Sequence, residues 1–98
     1  MPGRPIKLRK VRREPNTRQF SPRGRRGRPG YSDLKIEEFE AIRLIDHMGM
    51  KQVDACRCMG ISQQTFSRVL RNARKSIGEA LVLGRIIKVK GGAFKIEK

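Results

Sequence analysis

Residues 52–71 read QVDACRCMGISQQTFSRVLR and carry the clearest structural signal in the chain. A helix-turn-helix unit needs small or apolar residues inside its first helix and a glycine in its turn, because the sharp turn favours a left-handed backbone. It also needs an apolar residue after that glycine and two apolar positions in its second helix. The stretch meets these requirements at seven positions, which are Ala55, Cys56, Met59, Gly60, Ile61, Phe66 and Val69. This spacing predicts a helix-turn-helix with its turn at residues 60–62.

Helical patterns continue on both sides of that unit. Over residues 36–48 the apolar side chains recur at steps of three and four, which is typical of an amphipathic helix. A second apolar stripe follows Ser62, a favourable N-cap residue, and runs to Gly84, where a glycine can end a helix. Gly78 interrupts this stripe, and we expect the helix to weaken or bend there. With the segment 52–59 between them, the pattern predicts three helices.

Acidic residues crowd the start of the first of these helices. Glu37, Glu38 and Glu40 lie where negative charge favours the positive end of the helix dipole. Residues 31–60 contain four bases and six acids, so this block has a net charge of −2 in a basic chain. We therefore expect the first helix to lie away from a polyanion and to face a partner protein instead.

The C-terminal residues have the pattern of a β-hairpin. Residues 86–96 read IIKVKGGAFKI, in which two alternating runs flank a GG pair. Two glycines between such runs are typical of a two-residue hairpin turn, since both turn positions need positive φ. In that register Val89 faces Phe94 and Ile87 faces Ile96, which places the apolar pairs on one face. The sequence predicts a C-terminal β-hairpin within residues 85–98.

The N-terminal residues have the composition of a flexible basic arm. The 98-residue chain has a net charge of +15, and residues 1–30, with eleven bases and one acid, account for +10 of it. All five prolines lie in the same segment. Such sequence buries too little apolar surface to offset its chain entropy. The predicted fold is mainly α: a disordered arm at 1–30, a helix-turn-helix domain of three helices at 31–84 and the hairpin at 85–98.

Several classes of protein are excluded by composition. No run of apolar residues is long enough to span a membrane, and the first residues lack the apolar run of a secretory signal. Cys56 and Cys58 lie two positions apart and have no second ligand pair, so we expect neither a disulfide nor a structural metal. A nucleophile–base pair and a phosphate-binding loop are also missing. We expect a cytoplasmic protein that is not an enzyme, has no cofactor and does not contact membranes.

The outward positions of the helix-turn-helix identify nucleic acid as the expected partner, since a strongly basic surface attracts polyanions. Residues near the start of a recognition helix reach base edges in the major groove, where Gln can pair with adenine and Arg with guanine. The predicted base-reading residues are Gln63, Gln64, Ser67 and Arg68. The predicted backbone contacts are Ser62, Arg71, Arg74 and Lys75.

A second DNA-binding element is indicated within the arm. Arg26-Gly27-Arg28-Pro29 matches the core of the AT-hook, in which glycine allows close approach to the minor groove and arginines enter it. With Arg25 added, these residues form the predicted minor-groove arm. A four-residue match in an Arg-rich segment is equally explained by a basic arm that binds without sequence preference.

The chain also resembles a known family. The stretch IEEFEAIRLID at residues 36–46, MGISQQTFSR at 59–68 and the closing GG at 91–92 are similar to those of a small family of uncharacterised prokaryotic proteins, of the UPF/DUF type, regarded as DNA-binding. The GRP at 3–5 and FSP at 20–22 also resemble that family. The resemblance implies a helix-turn-helix similar to region four of bacterial sigma factors and a role in transcription. Lys35 and Lys51 replace capping Thr or Ser residues of that family, which predicts frayed helix starts, and Gly78 replaces Ala.

Three functions remain open at this point. The first is a sequence-specific regulator that binds double-stranded DNA at the nucleoid. The second is an RNA-binding or ribosome-associated basic protein, although the low aromatic content disfavours binding by base stacking. The third is a module similar to a sigma factor that docks on RNA polymerase. The small core and the apolar hairpin face further suggest a homodimer, which would read two half-sites.

Overall fold

The computed structural model describes residues 7–24 and 27–97 and contains three helices with a small β component. The helices are α1 (Ile36–Ile42), which continues as a π-helical turn (Arg43–His47), α2 (Gln52–Met59) and α3 (Gln63–Leu83). The strands are β1 (Arg9–Val11), β2 (Gln19–Phe20), β3 (Tyr31–Leu34), β4 (Ile86–Val89) and β5 (Phe94–Ile96). The three predicted helices are confirmed, whereas the mainly α class is confirmed only in part because of the strands. Over these residues, no helix has the length and apolar character needed to cross a membrane.

Local sequence explains where the helices begin and end. α1 begins after Lys35, whose side chain gives no cap, but its backbone N–H donates to Glu38 Oε1 at 2.9 Å. Burial raises the pKa of the Glu38 carboxyl, although the Lys35 N–H acts in the opposite direction. α3 passes through Gly78 without interruption and ends at Gly84, which has a φ of 67°. α3 is therefore continuous through Gly78.

Two clusters of buried side chains hold these elements together. The first joins the three helices and contains Ala41, Leu44, Ala55, Cys56, Met59, Phe66, Val69 and Leu70. The second lies between α1, α3 and the strands and contains Val11, Leu34, Ile36, Ala73 and Val89. α3 contributes to both clusters, so its orientation is fixed along most of its length.

The predicted C-terminal hairpin is wrong. β4 lies in the middle of a three-stranded sheet, where it pairs antiparallel with β2 and parallel with β3. β5 instead pairs in parallel with β1, in a separate two-stranded sheet. Val89 lies opposite Leu34 and Phe94 lies opposite Arg9, so neither has the partner that the hairpin register predicted.

The glycine pair that suggested the hairpin has another role. Gly91 and Gly92 have φ values of 72° and 101°, and the Gly91 carbonyl accepts a hydrogen bond from Ile36 N–H at 3.1 Å. The Glu37 carboxylate lies directly against Gly92 and accepts from Ala93 N–H at 3.2 Å. A side chain at position 92 would collide with that carboxylate. The glycines thus let the chain wrap around the start of α1 instead of turning back along β4.

The prediction of a flexible arm is wrong for part of residues 1–30. β1 and β2 each belong to a sheet, Val11 is fully buried, and Pro15 is also buried. The isolated Val11 fills the second cluster, and the backbone of β1 pairs with the far end of the chain. Composition missed this because strand partners distant in sequence, together with one apolar side chain, suffice to order a short basic segment.

The acidic start of α1 does not form the predicted partner-facing surface. Glu37 and Glu38 are each 6% exposed, and Glu40 is fully buried. Their carboxylates bond to Ala93, Lys35 and Arg12 backbone N–H groups. Buried carboxylates require hydrogen-bond donors, and these bonds engage the three side chains inside the fold.

Candidate nucleic-acid interface

The turn between α2 and α3 has the predicted geometry. Gly60 follows α2 in the left-handed conformation, with φ 67° and ψ 32°. Ser62 then caps α3, since its side chain accepts a hydrogen bond from Thr65 N–H at 3.1 Å. Lys51, at the start of α2, supplies no side-chain cap. The short turn and the capped start fix the direction in which α3 leaves the unit.

One face of α3 presents a polar row to solvent. Gln64, Arg68, Arg71 and Lys75 lie within about 60° of one another around the helix axis at 3.6 residues per turn, and all are exposed. The opposite face carries Phe66 and Ala73, both fully buried. In the described part of the chain, none of the three cations in this row lies within ion-pair distance of a carboxylate. The row can therefore donate to an anionic or polar surface without breaking internal bonds.

Two further predicted base-reading residues lie beside this row. Gln63 is exposed in the first turn of α3. Ser67 is also exposed, and its hydroxyl donates to Gln52 Oε1 at 3.0 Å. This bond joins the start of α2 to the second turn of α3. The four predicted base-reading residues are thus brought together on the exposed first part of one helix.

Two of the predicted backbone contacts have partners within the fold. The Ser62 hydroxyl caps α3 and donates to Thr65 Oγ1 at 3.0 Å. Arg74 pairs with Asp46, at 2.7 Å between Nη2 and Oδ1, and this hydrogen bond raises the pKa of the guanidinium. Arg74 must share its charge with Asp46, whereas Arg71 and Lys75 remain the better placed cations.

The predicted minor-groove arm is described only in part. Arg25 and Arg26 lie outside the described residues. Gly27 has a φ of 77° and is exposed, as is Arg28, while Pro29 is half-buried two residues before β3. The described half of this element is therefore accessible and anchored at its C-terminal side.

The sequence prediction missed a group of charges at the helix-turn-helix turn. The aliphatic side chain of Lys10, on β1, lies over Gly60, with Cδ and Cε 3.3 Å from the position that a Cβ would occupy. Lys10 Nζ lies 3.4 Å from Glu97 Oε1, and Lys95 Nζ lies 3.5 Å from Glu97 Oε2. No local pattern connects residues 10, 60 and 97, which come together through the β1–β5 pairing and the packing of β1 against α2.

Comparison with known proteins identifies relatives of unestablished function. A family model described as "Protein of unknown function DUF134" matches residues 1–97. A UPF0251 protein of Chlorobaculum tepidum is 44% identical over 97 residues, which cover 97% of this chain and 49% of the relative. A UPF0251 protein of Caldicellulosiruptor saccharolyticus is 44% identical over 91 residues, covering 93% of this chain and 64% of the relative. One from Methanococcus vannielii is 38% identical over 97 residues, covering 98% and 75%.

The chain is shorter than these relatives. It spans 49% and 64% of the first two of them and between 49% and 64% of four bacterial relatives in all. No solved structure matches the chain.

Proposed function

This chain belongs to the DUF134/UPF0251 family of uncharacterised prokaryotic proteins, with homologues in bacteria and archaea, and we propose that it is a sequence-specific double-stranded DNA-binding regulator of transcription. The observation that carries the proposal is the exposed row Gln64, Arg68, Arg71 and Lys75 on the helix that follows the Gly60 turn. In this proposal α3 lies in the major groove, with Gln63 near its entry point.

The side chains of the row can be divided into those that would contact bases and those that would contact phosphates. The amide of Gln64 can bond two atoms of an adenine edge, and the guanidinium of Arg68 two atoms of a guanine edge. Gln63 and Ser67 flank them in the same two turns. Arg71 and Lys75 lie one and two turns further along and would contact the backbone, which supplies affinity that falls with salt. Ser62 and Arg74 add backbone contacts only where they can also keep their internal bonds.

The basic segment before β3 supports the same function. We assign Arg25, Arg26, Gly27, Arg28 and Pro29 to the minor groove or the backbone beside the site. Arg28 is exposed, and Pro29 leads directly into the sheet, so this segment would be tethered to the same body as α3. In the cell, such a protein would act in the cytoplasm at the nucleoid and would need no catalytic group or cofactor.

RNA and RNA polymerase remain alternative partners with weaker support. An RNA-binding surface would be expected to offer stacking aromatics. Of the described aromatic residues, Phe66 is fully buried and Phe39 and Phe94 pack on the second cluster, which leaves only Phe20 and Tyr31 exposed, at 54% and 56%. Docking on RNA polymerase rests on the resemblance to sigma factors, and the acidic start of α1, which was expected to face a partner protein, is buried inside the fold.

A selection experiment tests the proposal directly. We expect the protein to enrich a defined motif from a random pool of duplex DNA, with excess structured RNA present as competitor. Specific sites of this kind are typically bound about 10³-fold or more tighter than random duplex. If every duplex sequence were recovered in proportion to its abundance in the starting pool, sequence-specific recognition would be contradicted. If the RNA competitor displaced all of the duplex from the protein, the RNA-binding alternative would be favoured.

A second copy of the chain is the further partner that we propose. At the end of α3, Leu81 and Val82 are 82% and 80% exposed, and Phe20 nearby is 54% exposed. Adjacent exposed apolar residues of this kind mark interaction surfaces. Two copies joined there would carry two recognition helices, as a palindromic site requires.

The dimer proposal leads to a prediction on mass in solution. We expect the protein to sediment as a dimer and the double variant Leu81→Glu/Val82→Glu to sediment as a monomer, since two carboxylates would be buried in each half of the interface. Because both side chains are exposed in the single chain, thermal stability at high dilution should be nearly unchanged. The double variant Gln63→Glu/Gln64→Glu, which adds the same two carboxylates at the other end of α3, provides the control and should sediment as a dimer. A wild-type chain that remains monomeric at high concentration would contradict the proposal.

A further inference from the structure

We propose that Lys10 and Lys95 form a binding site for a DNA backbone phosphate at the turn of the helix-turn-helix, and that Glu97 competes with the phosphate for both lysines. The inference deepens the proposed function and rests on it. The two lysines come from β1 and β5, and Glu97 directly follows β5, so all three lie outside the helix-turn-helix in sequence.

The position of Lys10 is fixed by the fold. β1 pairs in parallel with β5, and in that register Lys10 lies opposite Lys95. The neighbouring Val11 is fully buried, so the strand cannot rotate without losing a core side chain. The methylene groups of Lys10 lie over Gly60, and a side chain at position 60 would occupy part of their space. The ammonium group is thus carried to the turn that precedes the recognition helix.

The charge at this point is positive and only partly compensated. Lys10 and Lys95 share the single carboxylate of Glu97, at 3.4 and 3.5 Å. The side chains of Lys10, Glu97 and Lys95 are 41%, 46% and 52% exposed. Exposed ion pairs at such distances contribute little to stability, because water screens both charges. A phosphate diester can therefore replace Glu97 at little cost, and one net positive charge remains to attract it.

The location matches the chemistry of a backbone contact. Ser62 and Gln63, which start α3, follow Gly60 by two and three residues. When the start of a recognition helix enters the major groove, the sugar–phosphate strand bordering the groove passes beside it. Lysine binds phosphate as a point charge and requires no fixed orientation, which suits a contact that carries no sequence information. Lys10 would thus position the helix, and the polar row on α3 would read the bases.

Removal of the charge from Lys10 tests the site. We expect Lys10→Met, which keeps an aliphatic chain over Gly60, to flatten the log–log dependence of affinity on salt by about 0.9 for one lost phosphate contact. The probe is a short fluorescent duplex of mixed sequence, titrated at several salt concentrations by anisotropy. Base preference in the selection experiment should remain unchanged.

Glu97→Gln provides a test of opposite sign that does not depend on the stability of the Lys10 variant. Loss of the competing carboxylate frees both lysines, so we expect tighter binding to the same duplex and a steeper salt dependence. The matched controls are Arg85→Gln and Glu79→Gln. These residues form an exposed pair at 3.6 Å near the far end of α3, about 30 Å along the helix axis from the turn at 1.5 Å per residue.

Three outcomes separate the inference from the proposed function. A flatter slope for Lys10→Met and tighter binding for Glu97→Gln, with both controls close to wild type, support the site. If the wild type binds duplex but Lys10→Met and Glu97→Gln behave like the controls, the site is overturned and the proposed function remains. If the wild type binds no duplex, both are overturned.

Discussion

Arg68→Ala is expected to lower the preference for the selected site over random duplex by about 10- to 100-fold, the discrimination that one bidentate Arg–guanine contact supplies. Affinity for random duplex should fall far less, since the lost contact is to a base. Arg68 is exposed on the face of α3 opposite Phe66 and contributes no buried surface, so the fold should persist. Parallel titrations of the selected and a scrambled duplex at one salt concentration measure the effect.

The choice of control separates base reading from simple loss of charge. Arg71→Ala removes the same charge one turn further along the same row, where we propose a phosphate contact. It should weaken both duplexes by the same factor and flatten the salt dependence. Gln64→Ala should resemble Arg68→Ala without changing the net charge. Equal losses on both duplexes for Arg68→Ala and Gln64→Ala would show that the polar row binds the backbone and that the base-reading assignment is wrong.

The helix-turn-helix could be predicted from sequence because its determinants are local. The conformation of Gly60, the cap at Ser62 and the burial of Phe66 all follow from residue types at fixed spacing within one stretch. The exposed polar row on α3 follows from the same periodicity. The candidate site was therefore visible in sequence as far as it lies on α3.

The strand partners could not be predicted because they join segments from opposite ends of the chain. An alternating pattern shows which side chains face a core, and Ile87, Val89, Phe94 and Ile96 do pack on the second cluster as expected. The pattern contains no information about which backbone lies alongside. The nearby glycine pair made β5 the simplest partner for β4. The composition of residues 1–30 gave no indication that β1 and β2 would form strands. The phosphate site at Lys10 depends on those pairings and could not be found without them.

The same long-range contacts lead to the largest expected change in stability, that of Glu40→Ala. The Glu40 carboxylate is fully buried and accepts from Arg43 Nε at 2.6 Å, Arg43 Nη2 at 3.0 Å and Arg12 N–H at 2.9 Å. Its hydrogen bonds raise the pKa of Arg43, although burial acts against them. Removing one partner of a buried pair typically costs about 3–5 kcal/mol, because the other charge is left uncompensated. The Arg43 side chain is 17% exposed and can reach water, so we expect a cost near the lower limit. That is a large share of the stability of a small domain.

Urea denaturation should therefore show a much lower midpoint for Glu40→Ala than for the wild type. Asp46→Asn provides the control. Asp46 approaches Arg74 as closely, at 2.7 Å, but the two side chains are 42% and 52% exposed. An exposed pair contributes about 0–1 kcal/mol, so the midpoint should move little.

Glu40 also attaches β1 to α1 through the Arg12 backbone, so its loss should have a local effect in addition to the global one. In Glu40→Ala we expect the peptide bonds after Arg12 and Arg13 to be cut by trypsin before the rest of the domain, under conditions where Asp46→Asn is cut as slowly as the wild type. Cleavage at equal rates in all three proteins would mean that Val11 and the β1–β5 pairing hold the strand without Glu40. Because Lys10 lies on the same strand, early release of β1 should also flatten the salt dependence of DNA binding in Glu40→Ala. The hydrogen bonds of one buried carboxylate, Glu40, would then determine how firmly Lys10 is held at the turn.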